Sequence, residues 1–312
     1  MPLFGQQMIQ KRGKQAREGK IFLTKGIKTF KIEARREDKS FQYNSYQICC
    51  LAGEAVLNEI DGLKVDVHKP GGIIEVEIRN KAYVYGQAED GLRGLPVGTA
   101  GRGLLLLSGG IDSPAAGFMM ASRGMRIEAV YFHAYPYTSD QALDKTISLA
   151  KTLSGYNLGI VLFIVNFTPV QMRIKEKTAN NESWRTVLLR MAMMETSDKL
   201  AKTRGIKCLI TGESLSQVAS QTVENISCCS SRTDLAVFRP LIGMNKEQII
   251  RTSEKIGTYK TSILPYEDCC ILFAPPRPVI RGDLKKAKAL YEEMDLTSLI
   301  NEALAAADMM KL

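Results

Sequence analysis

The sequence predicts two α/β domains: a small mixed α/β domain, followed by a larger domain built on a doubly wound parallel sheet. Three observations lead to this fold class. Between residues 29 and 85, apolar and polar residues alternate as they do in half-exposed strands. Leu104–Leu107 is a run of four leucines, which is typical of a strand buried on both faces. After this run, predicted strands alternate with predicted helices, an order that favours a parallel sheet.

Length and composition limit the class of protein. A chain of 312 residues is long enough for two domains, and 45% hydrophobic with 24% charged residues is ordinary for a globular protein. We find no apolar run of the ~20 residues that span a bilayer and no signal-peptide pattern, so we expect a cytoplasmic protein. Six of the seven cysteines form adjacent pairs, which is unlike a secreted disulfide framework and predicts reduced thiols.

Positive charge is concentrated at the start of the chain. The formal net charge is +9, and residues 1–40 hold eleven Lys or Arg against four Asp or Glu, which gives +7 there. Such a segment is usually a solvated face. Beside a nucleotide site, however, it favours a polyanionic partner such as RNA.

The first domain is predicted to contain four strands and one helix. Residues 1–27 are a basic N-terminal remnant to which we assign no element, and residues 91–102 are rich in glycine and predict a linker. Asn44 or Ser45 is expected to cap the helix, which continues through Leu57. The predicted strands are Phe30–Arg35, Lys64–His68, Gly72–Arg79 and Ala82–Tyr85.

The second domain is predicted to alternate strands and helices. The predicted strands are Leu104–Leu107, Ile127–Phe132, Gly159–Phe167, Ile206–Ile210 and Ala236–Leu241. The predicted helices are Ala115–Ser122, Asp140–Leu153, Val170–Lys177, Ser183–Thr203, Asp283–Met294 and Leu296–Met310. A further helix is predicted between Asn245, which caps it, and Gly257, which ends it. Ligands of such sheets bind at the carboxyl ends of the strands, where Asp112, His133 and Gly212 are expected to meet.

The segment Ser108–Pro114 follows the four-leucine strand directly. Gly109 and Gly110 allow a sharp turn, and Pro114 suits the first turn of a helix. The turn would direct Ser108, Ser113 and several amides at one point, where the helix dipole favours phosphate. A bare Ser-Gly-Gly is equally compatible with an ordinary strand-to-helix turn.

The full Ser-Gly-Gly-Ile-Asp-Ser string resembles the pyrophosphate loop of the N-type ATP pyrophosphatases, which cleave ATP between its α and β phosphates. The chain more widely resembles the ThiI family of tRNA 4-thiouridine synthetases. That similarity extends over residues 30–41, 65–70, 94–99, 211–222, 239–242 and 264–270. It implies an RNA-binding THUMP domain at 28–90, and a PP-loop domain of the adenine nucleotide alpha hydrolase-like fold at 103–312.

The resemblance implies a reaction in two steps. ATP adenylates the 4-oxygen of a uracil, and sulfur from an enzyme persulfide then replaces the adenylate. In the family the target is uridine 8 of tRNA, and a cysteine desulfurase supplies the sulfur. The implied cofactors are ATP and Mg²⁺, and the implied partner is tRNA. A role in thiamine synthesis is a further expectation from the family. Because only about 27 residues precede the THUMP-like part, we expect tRNA binding to be weaker or to use dimer contacts.

Site residues are carried over from the family motifs position by position. Asp112 matches the essential loop carboxylate and is expected to organise Mg²⁺ and the phosphates. Phosphate contact is expected from Ser108, Gly109, Gly110 and Ser113. The residues expected to hold adenosine are Leu106, Leu107, Tyr131, Phe132, Arg190, Gly212 and Gln221.

Cys269 is expected to carry the sulfur, with the adjacent Cys270 as the alternative, because a thiolate with a lowered pKa can hold a persulfide. The other cysteines are expected to be structural, and adjacent pairs lack the spaced ligands of an iron–sulfur cluster. In the THUMP-like domain, Arg35, Arg36 and Lys39 are expected to contact RNA phosphates.

Two departures from the family pattern shape these expectations. About 27 residues precede the matching part, where the family has a ferredoxin-like segment, and no rhodanese domain follows. We therefore expect sulfur to be loaded directly onto Cys269, with Cys270 or an external reductant resolving the intermediate. Two alternatives stay open: an adenylating enzyme with a different acceptor, and a tRNA-binding homologue without catalysis.

The histidines and the large apolar residues are assigned as follows. His133 either touches nucleotide or makes a structural hydrogen bond, and His68 is assigned to the fold of the small domain. Trp184 and the methionines at positions 191, 193 and 194 are expected to pack in the core.

Overall fold

A computed structural model of the protein describes residues 13–37, 39–86, 91, 93–266 and 274–312, with only the backbone for residues 13–17. The chain divides into two compact units, Met1–Gly91 and Leu92–Leu312. Among the described residues, no helix combines the length and apolar composition that a bilayer crossing requires.

The first unit is a sheet covered by helices. Its described strands are β1 (Thr29–Arg36), β2 (Lys64–Val65), β3 (Gly72–Ile78) and β4 (Ala82–Tyr85), arranged in the order β2-β1-β3-β4. Strand β1 is parallel to β2 and β3, and β4 is antiparallel to β3. The helices are α1 (Gly13–Thr24) and α2 (Ser45–Glu59).

Alternating burial explains how this unit packs. Every second residue of β3 is buried, and α2 contributes Ile48, Ala52 and Val56 to the same core. Asn44 caps α2 in a capping box with Gln47. Helix α1 lies in the region to which the sequence assigns no element. Its Phe22 is buried in this core and anchors the helix.

The second unit contains a six-stranded sheet among its described residues, in the order β10-β7-β6-β5-β8-β9. The strands are β5 (Arg102–Leu106), β6 (Arg126–His133), β7 (Val161–Asn166), β8 (Cys208–Ile210), β9 (Ala236–Phe238) and β10 (Asp308–Lys311). All pairs are parallel except β10 with β7. This mainly parallel sheet confirms the predicted fold class.

Helices cover both faces of this sheet. They are α3 (Asp112–Ser122), α4 (Asp140–Asn157), α5 (Thr168–Lys177), α6 (Arg185–Thr203), α7 (Val223–Ser230), α8 (Lys246–Lys255), α9 (Tyr259–Ser262), α10 (Leu284–Glu292) and α11 (Thr297–Ala305). Two separate apolar clusters result: Leu104 belongs to one and Leu105 to the other, and both side chains are fully buried. The leucine run is therefore buried on both faces, as its composition predicts.

Some predicted elements were wrong in type or extent. The predicted helix Leu296–Met310 ends at Ala305, and Asp308–Lys311 forms a strand because it pairs with β7. The predicted strand Lys64–His68 keeps only its first two residues. Asp66 Oδ1 accepts the amides of His68 and Lys69, both at 2.9 Å, and this turns the chain away from the sheet.

Candidate functional site

The turn between β5 and α3 is held in shape by its own serines. Ser113 Oγ accepts the Ser108 amide at 2.9 Å and lies 3.1 Å from Ser108 Oγ. Ser108 Oγ in turn accepts the Gly110 amide at 3.3 Å. From outside the turn, the Ser262 hydroxyl donates to the Gly110 carbonyl at 3.1 Å. These bonds hold the turn in a defined conformation.

Helix α3 starts directly after this turn, at Asp112. Its N-cap residue, Ile111, offers no side-chain hydrogen bond to the first turn. The first amides of a helix have no partner inside the helix, and they form its positive end. The turn and the start of α3 therefore present a surface suited to an anion such as phosphate.

Gly212, which follows β8, packs against the backbone of the start of α3. A Cβ atom at this position would lie 2.7 Å from the Ser113 nitrogen and 2.8 Å from the Asp112 carbonyl carbon. Such distances are too short for any side chain. The segment after β8 can therefore approach the turn before α3 only because residue 212 is glycine.

A cavity of about 290 Å³ lies beside the turn, at the carboxyl ends of β5, β6 and β8. Ten of the residues predicted for the nucleotide site line it: Leu106, Leu107, Ser108, Asp112, Ser113, Tyr131, Phe132, Arg190, Gly212 and Gln221. Gly109 and Gly110 belong to the adjoining turn and are not among its lining residues. Residues separated by up to 115 positions in the sequence thus meet at one edge of the sheet.

Helix α6 forms one wall of the cavity, mostly with residues that sequence reasoning missed. Thr186, Leu189, Met193 and Met194 line it together with Arg190, and their spacing is that of one helical face. The two methionines are buried in the apolar core, as predicted, and also form part of the cavity wall. This face provides an apolar surface on which a flat ring such as adenine can lie.

Glu213 also lines the cavity, and sequence reasoning missed it as well. Its side chain is 4% exposed and forms ion pairs with Arg190 and Arg239, the latter at 2.6 Å. Thr211 Oγ1 donates to the same carboxylate at 2.9 Å. Burial by itself would raise the pKa of Glu213, but the two arginines and these hydrogen bonds reverse the effect and lower it. Glu213 therefore stays ionised and holds Arg190 at the cavity.

Asp112 has two partners at the mouth of the turn. Its Oδ1 pairs with the Lys246 ammonium at 2.6 Å, and its Oδ2 accepts a hydrogen bond from Gln217 Nε2 at 2.9 Å. Lys246 was not predicted to be a site residue. It is the first residue of α8, which begins in a capping box of Asn245 and Gln248. The predicted capping box fixes where α8 begins, but it does not show that Lys246 pairs with Asp112.

Two family models match the chain. The model described as "Thiamine biosynthesis protein (ThiI)" matches residues 98–296, and the THUMP domain model matches residues 8–86. The chain belongs to the ThiI family. The THUMP match includes helix α1, which lies before residue 28, where sequence analysis begins this domain.

Similar members of the ThiI family cover most of the chain. A probable tRNA sulfurtransferase of Caldanaerobacter subterraneus subsp. tengcongensis is 48% identical over 274 residues, which is 88% of this chain and 72% of the relative. A second probable tRNA sulfurtransferase, of Treponema pallidum (strain Nichols), is 49% identical over 287 residues, which is 92% of this chain and 71% of the relative. The crystal structure of a 4-thiouridine synthetase–RNA complex with bound ATP has a TM-score of 0.87 and 34% identity, covering 96% of this chain and 79% of that one.

The predicted ThiI-family sulfur carriers, Cys269 and Cys270, lie outside the described residues. The segment before them is held at the site. The Lys145 ammonium, on α4, donates to the carbonyls of Leu264 at 2.8 Å and Tyr266 at 3.3 Å. Together with the bond from Ser262 to the turn, this contact ties the preceding segment to the carboxyl edge of the sheet.

The five described cysteines are free thiols. Burial raises the pKa of Cys208, and it raises the pKa of Cys229 to about 12, so both stay protonated near neutral pH. The pKa of Cys228 is raised for the same reason. Among the described residues, no group of three or more His, Cys, Asp or Glu side chains is placed to hold a metal ion.

The residues predicted to contact RNA follow one another along and after β1. Arg35 and Lys39 are exposed. Arg36 Nη1 instead donates to the carbonyls of Lys39 at 3.0 Å and of Phe41 and Tyr43 at 3.3 Å. Arg36 therefore organises the turn after β1, while Arg35 and Lys39 present their charges to solvent.

His133 lies at the end of β6 and does not line the cavity. Its ring packs against that of Tyr131, which does, with 6.0 Å between ring centroids. His68, the other histidine, is exposed in the first unit.

Proposed function

We propose that this chain is an ATP-dependent tRNA sulfurtransferase that makes 4-thiouridine. The main support is the cavity at the carboxyl edge of the larger sheet, which brings the predicted adenosine residues beside the Ser108–Ser113 turn. Members of its family named for this activity are nearly half identical to it over most of its length. The similar solved structure contains RNA and ATP.

The geometry supports a definite orientation for ATP. The phosphates would lie on the turn and the start of α3, where amides and the Lys246 ammonium offer positive charge. The adenine would lie against the apolar face of α6, and Arg190, fixed by Glu213, would contact the nucleotide between them.

The site also fits a magnesium ion. Mg²⁺ at nucleotide sites uses one or two carboxylates together with substrate phosphates, and Asp112 offers a partly exposed carboxylate facing the turn. Glu213 is fully engaged by two arginines and is not available. We therefore assign Mg²⁺ to Asp112, where it would neutralise phosphate charge. Lys246 and Gln217 orient that carboxylate.

We propose uridine 8 of tRNA as the target, with adenylation at its 4-oxygen and sulfur transfer from a persulfide on Cys269, or on Cys270. A cysteine desulfurase would load the thiol, in the cytoplasm. The bonds that fix Leu264 and Tyr266 support this assignment, because they hold the preceding segment at the same edge as the cavity. Arg35 and Lys39 would contact tRNA phosphates. Dimerisation and a sulfur supply to thiamine synthesis are further parts of the proposal.

The test is to incubate the full chain with tRNA, ATP, Mg²⁺ and a cysteine desulfurase, and to measure the near-ultraviolet absorbance of thiouridine. We expect product from the unaltered chain and none from Asp112→Ala or Cys269→Ser. Cys50→Ser is the matched control, since Cys50 is an exposed thiol in the first unit and should retain full activity.

Other outcomes would redirect the proposal. If the Cys269→Ser variant still makes thiouridine and the Cys270→Ser variant does not, the sulfur carrier is Cys270. ATP consumption stimulated by a small molecule, and not by tRNA, would indicate a different acceptor. Binding of tRNA without any ATP consumption would contradict catalysis altogether.

A further inference from the structure

The imidazole of His133 is a buried polar group without an evident structural purpose. The residue is 7% exposed, and its Nε2 atom has no hydrogen-bond partner among the described residues. The great majority of buried side-chain polar atoms have a partner, so each exception requires an explanation. A ligand atom that arrives during the reaction would supply one.

Aromatic rings connect this histidine both to the nucleotide cavity and to solvent. On one side lies Tyr131, which lines the cavity, at 6.0 Å and an interplanar angle of 28°. On the other side lies Tyr135, at 6.3 Å and 43°, with 58% of its surface exposed. The Thr168 hydroxyl donates a hydrogen bond to the Tyr135 carbonyl at 2.6 Å, which fixes the backbone at this residue. Exposed aromatic rings in RNA-modifying proteins provide stacking surfaces for unpaired bases.

The chemistry of 4-thiouridine formation requires a proton acceptor at the reacting uracil. If sulfur is to replace the 4-oxygen, that oxygen must first attack the α-phosphorus of ATP. The bond from the α-phosphorus to the bridging oxygen then breaks, and pyrophosphate leaves with its electron pair. The uracil N3–H bond also breaks; its electrons form the N3=C4 double bond, and the proton needs an acceptor.

The carboxylates of the cavity are poor candidates for that acceptor. Among the described lining residues, Asp112 is paired with Lys246, and Glu213 with two arginines. We propose that His133 Nε2 is the general base that accepts the uracil N3 proton, and that Tyr135 is the surface on which the uracil stacks. This inference rests on the proposed function and adds a catalytic residue to it.

The ionisation of His133 suits this role. Burial lowers the pKa of the imidazole below its ordinary value, while the Asp140 carboxylate at the start of α4 opposes that change. His133 is therefore neutral near pH 7 and able to take a proton.

The test measures tRNA-dependent pyrophosphate release by the full chain with ATP and Mg²⁺. General-base catalysis contributes about 10²–10⁴-fold, so we expect His133→Asn to lose activity of that order. Its ATP affinity, measured by calorimetry, should stay within about twofold of the unaltered chain, because the general-base contribution concerns the transition state. Imidazole in the buffer should restore part of the rate to His133→Ala. His68→Asn is the matched control and should be fully active.

The pH profile of pyrophosphate release is a second measurement, and its acid limb can be observed in the unaltered chain alone. The rate should fall on acidification with an apparent pKa below the ordinary histidine value, and this limb should be absent from His133→Asn. A profile without the limb would overturn the proposal, as would full activity in His133→Asn. A parallel loss of ATP affinity in that variant would make His133 merely structural. If the unaltered chain releases no pyrophosphate with any tRNA, the proposed function itself fails.

Tyr135 is exposed, so its variants should fold. Tyr135→Ala should raise the KM for tRNA without changing ATP affinity, and it should do so more than Tyr135→Phe, because the ring provides the stacking surface. An unchanged KM in Tyr135→Ala would remove the stacking surface from the proposal.

Discussion

At position 212 there is no room for a side chain. We predict that Gly212→Ala weakens ATP binding by about tenfold or more and lowers the free energy of unfolding by about 1–3 kcal/mol, because the new methyl group must displace the backbone of Ser113. Calorimetry with ATP and urea unfolding measure the two effects. Gly243→Ala is the control, since its added Cβ would meet no atom within 4 Å. Unchanged ATP affinity in Gly212→Ala would contradict the close approach.

The buried Glu213 carboxylate makes stability depend on pH. Because its pKa is lowered in the folded chain, its contribution is fully present above the ordinary glutamate value of 4.5 and is lost as the pH falls through the lower folded value. We predict that Glu213→Gln lowers the free energy of unfolding by about 3–5 kcal/mol at pH 7, since two arginines lose their partner.

The measurement is urea unfolding between pH 7 and about pH 3. The difference between the unaltered chain and Glu213→Gln should shrink on acidification. Glu254→Gln, at an exposed carboxylate, serves as the control and should change stability little. A difference that stays constant with pH would mean that Glu213 is not ionised in the folded chain.

Among single residues, the sequence predicts site residues that belong to a continuous motif or to the family pattern. Ser108, Asp112 and Gly212 were predicted in this way, and all three line the cavity. Glu213 and Lys246 were missed as site residues because their roles depend on partners far along the chain: Lys246 pairs with a carboxylate 134 positions away. Charges that become functional through such distant pairing leave no local pattern in the sequence.

At the scale of elements, Lys145 on α4 holds the carbonyls of Leu264 and Tyr266. We predict that Lys145→Met lowers thiouridine formation about tenfold or more while ATP affinity changes less than about twofold, because a charge-assisted hydrogen bond contributes about 1.5–3 kcal/mol. Lys151→Met, at an exposed lysine of the same helix, is the control. Equal losses of ATP binding and thiouridine formation would contradict a role limited to this segment.

Elements with a strong local pattern were predicted well and those that depend on pairing were not. The leucine strand β5 and the capped helix α8 followed directly from their sequences. Strand β10 was predicted as helix, because its four residues are too few to show a period and its conformation is set by β7. Helix α7 was not predicted; its Cys228 and Cys229 pack into the core, a contact that the sequence alone does not reveal.

At the scale of the whole molecule, the excess of positive charge determines how binding of tRNA responds to salt. We predict that the double change Arg35→Gln and Lys39→Gln weakens tRNA binding and reduces the slope of log affinity against log salt by roughly 0.7–0.9 per lost phosphate contact. Filter binding over a series of salt concentrations measures the slope. ATP affinity should be unchanged.

The control is the double change Lys207→Gln and Lys255→Gln, which removes the same charge from exposed positions of the second unit. If tRNA affinity and the slope of log affinity against log salt fall equally in both double variants, the effect comes from net charge and not from contacts near β1.

The direction of β10 has a practical consequence. Because β10 runs antiparallel to β7, Lys311 lies beside Val161, at the amino end of β7, and Leu312 exchanges hydrogen bonds with Ile160. The nucleotide cavity lies at the other end of the same sheet. A fluorophore attached at the exposed Met309 or Lys311 of β10 would thus lie toward the end of the sheet away from the cavity, so it should report on the protein without obstructing the cavity.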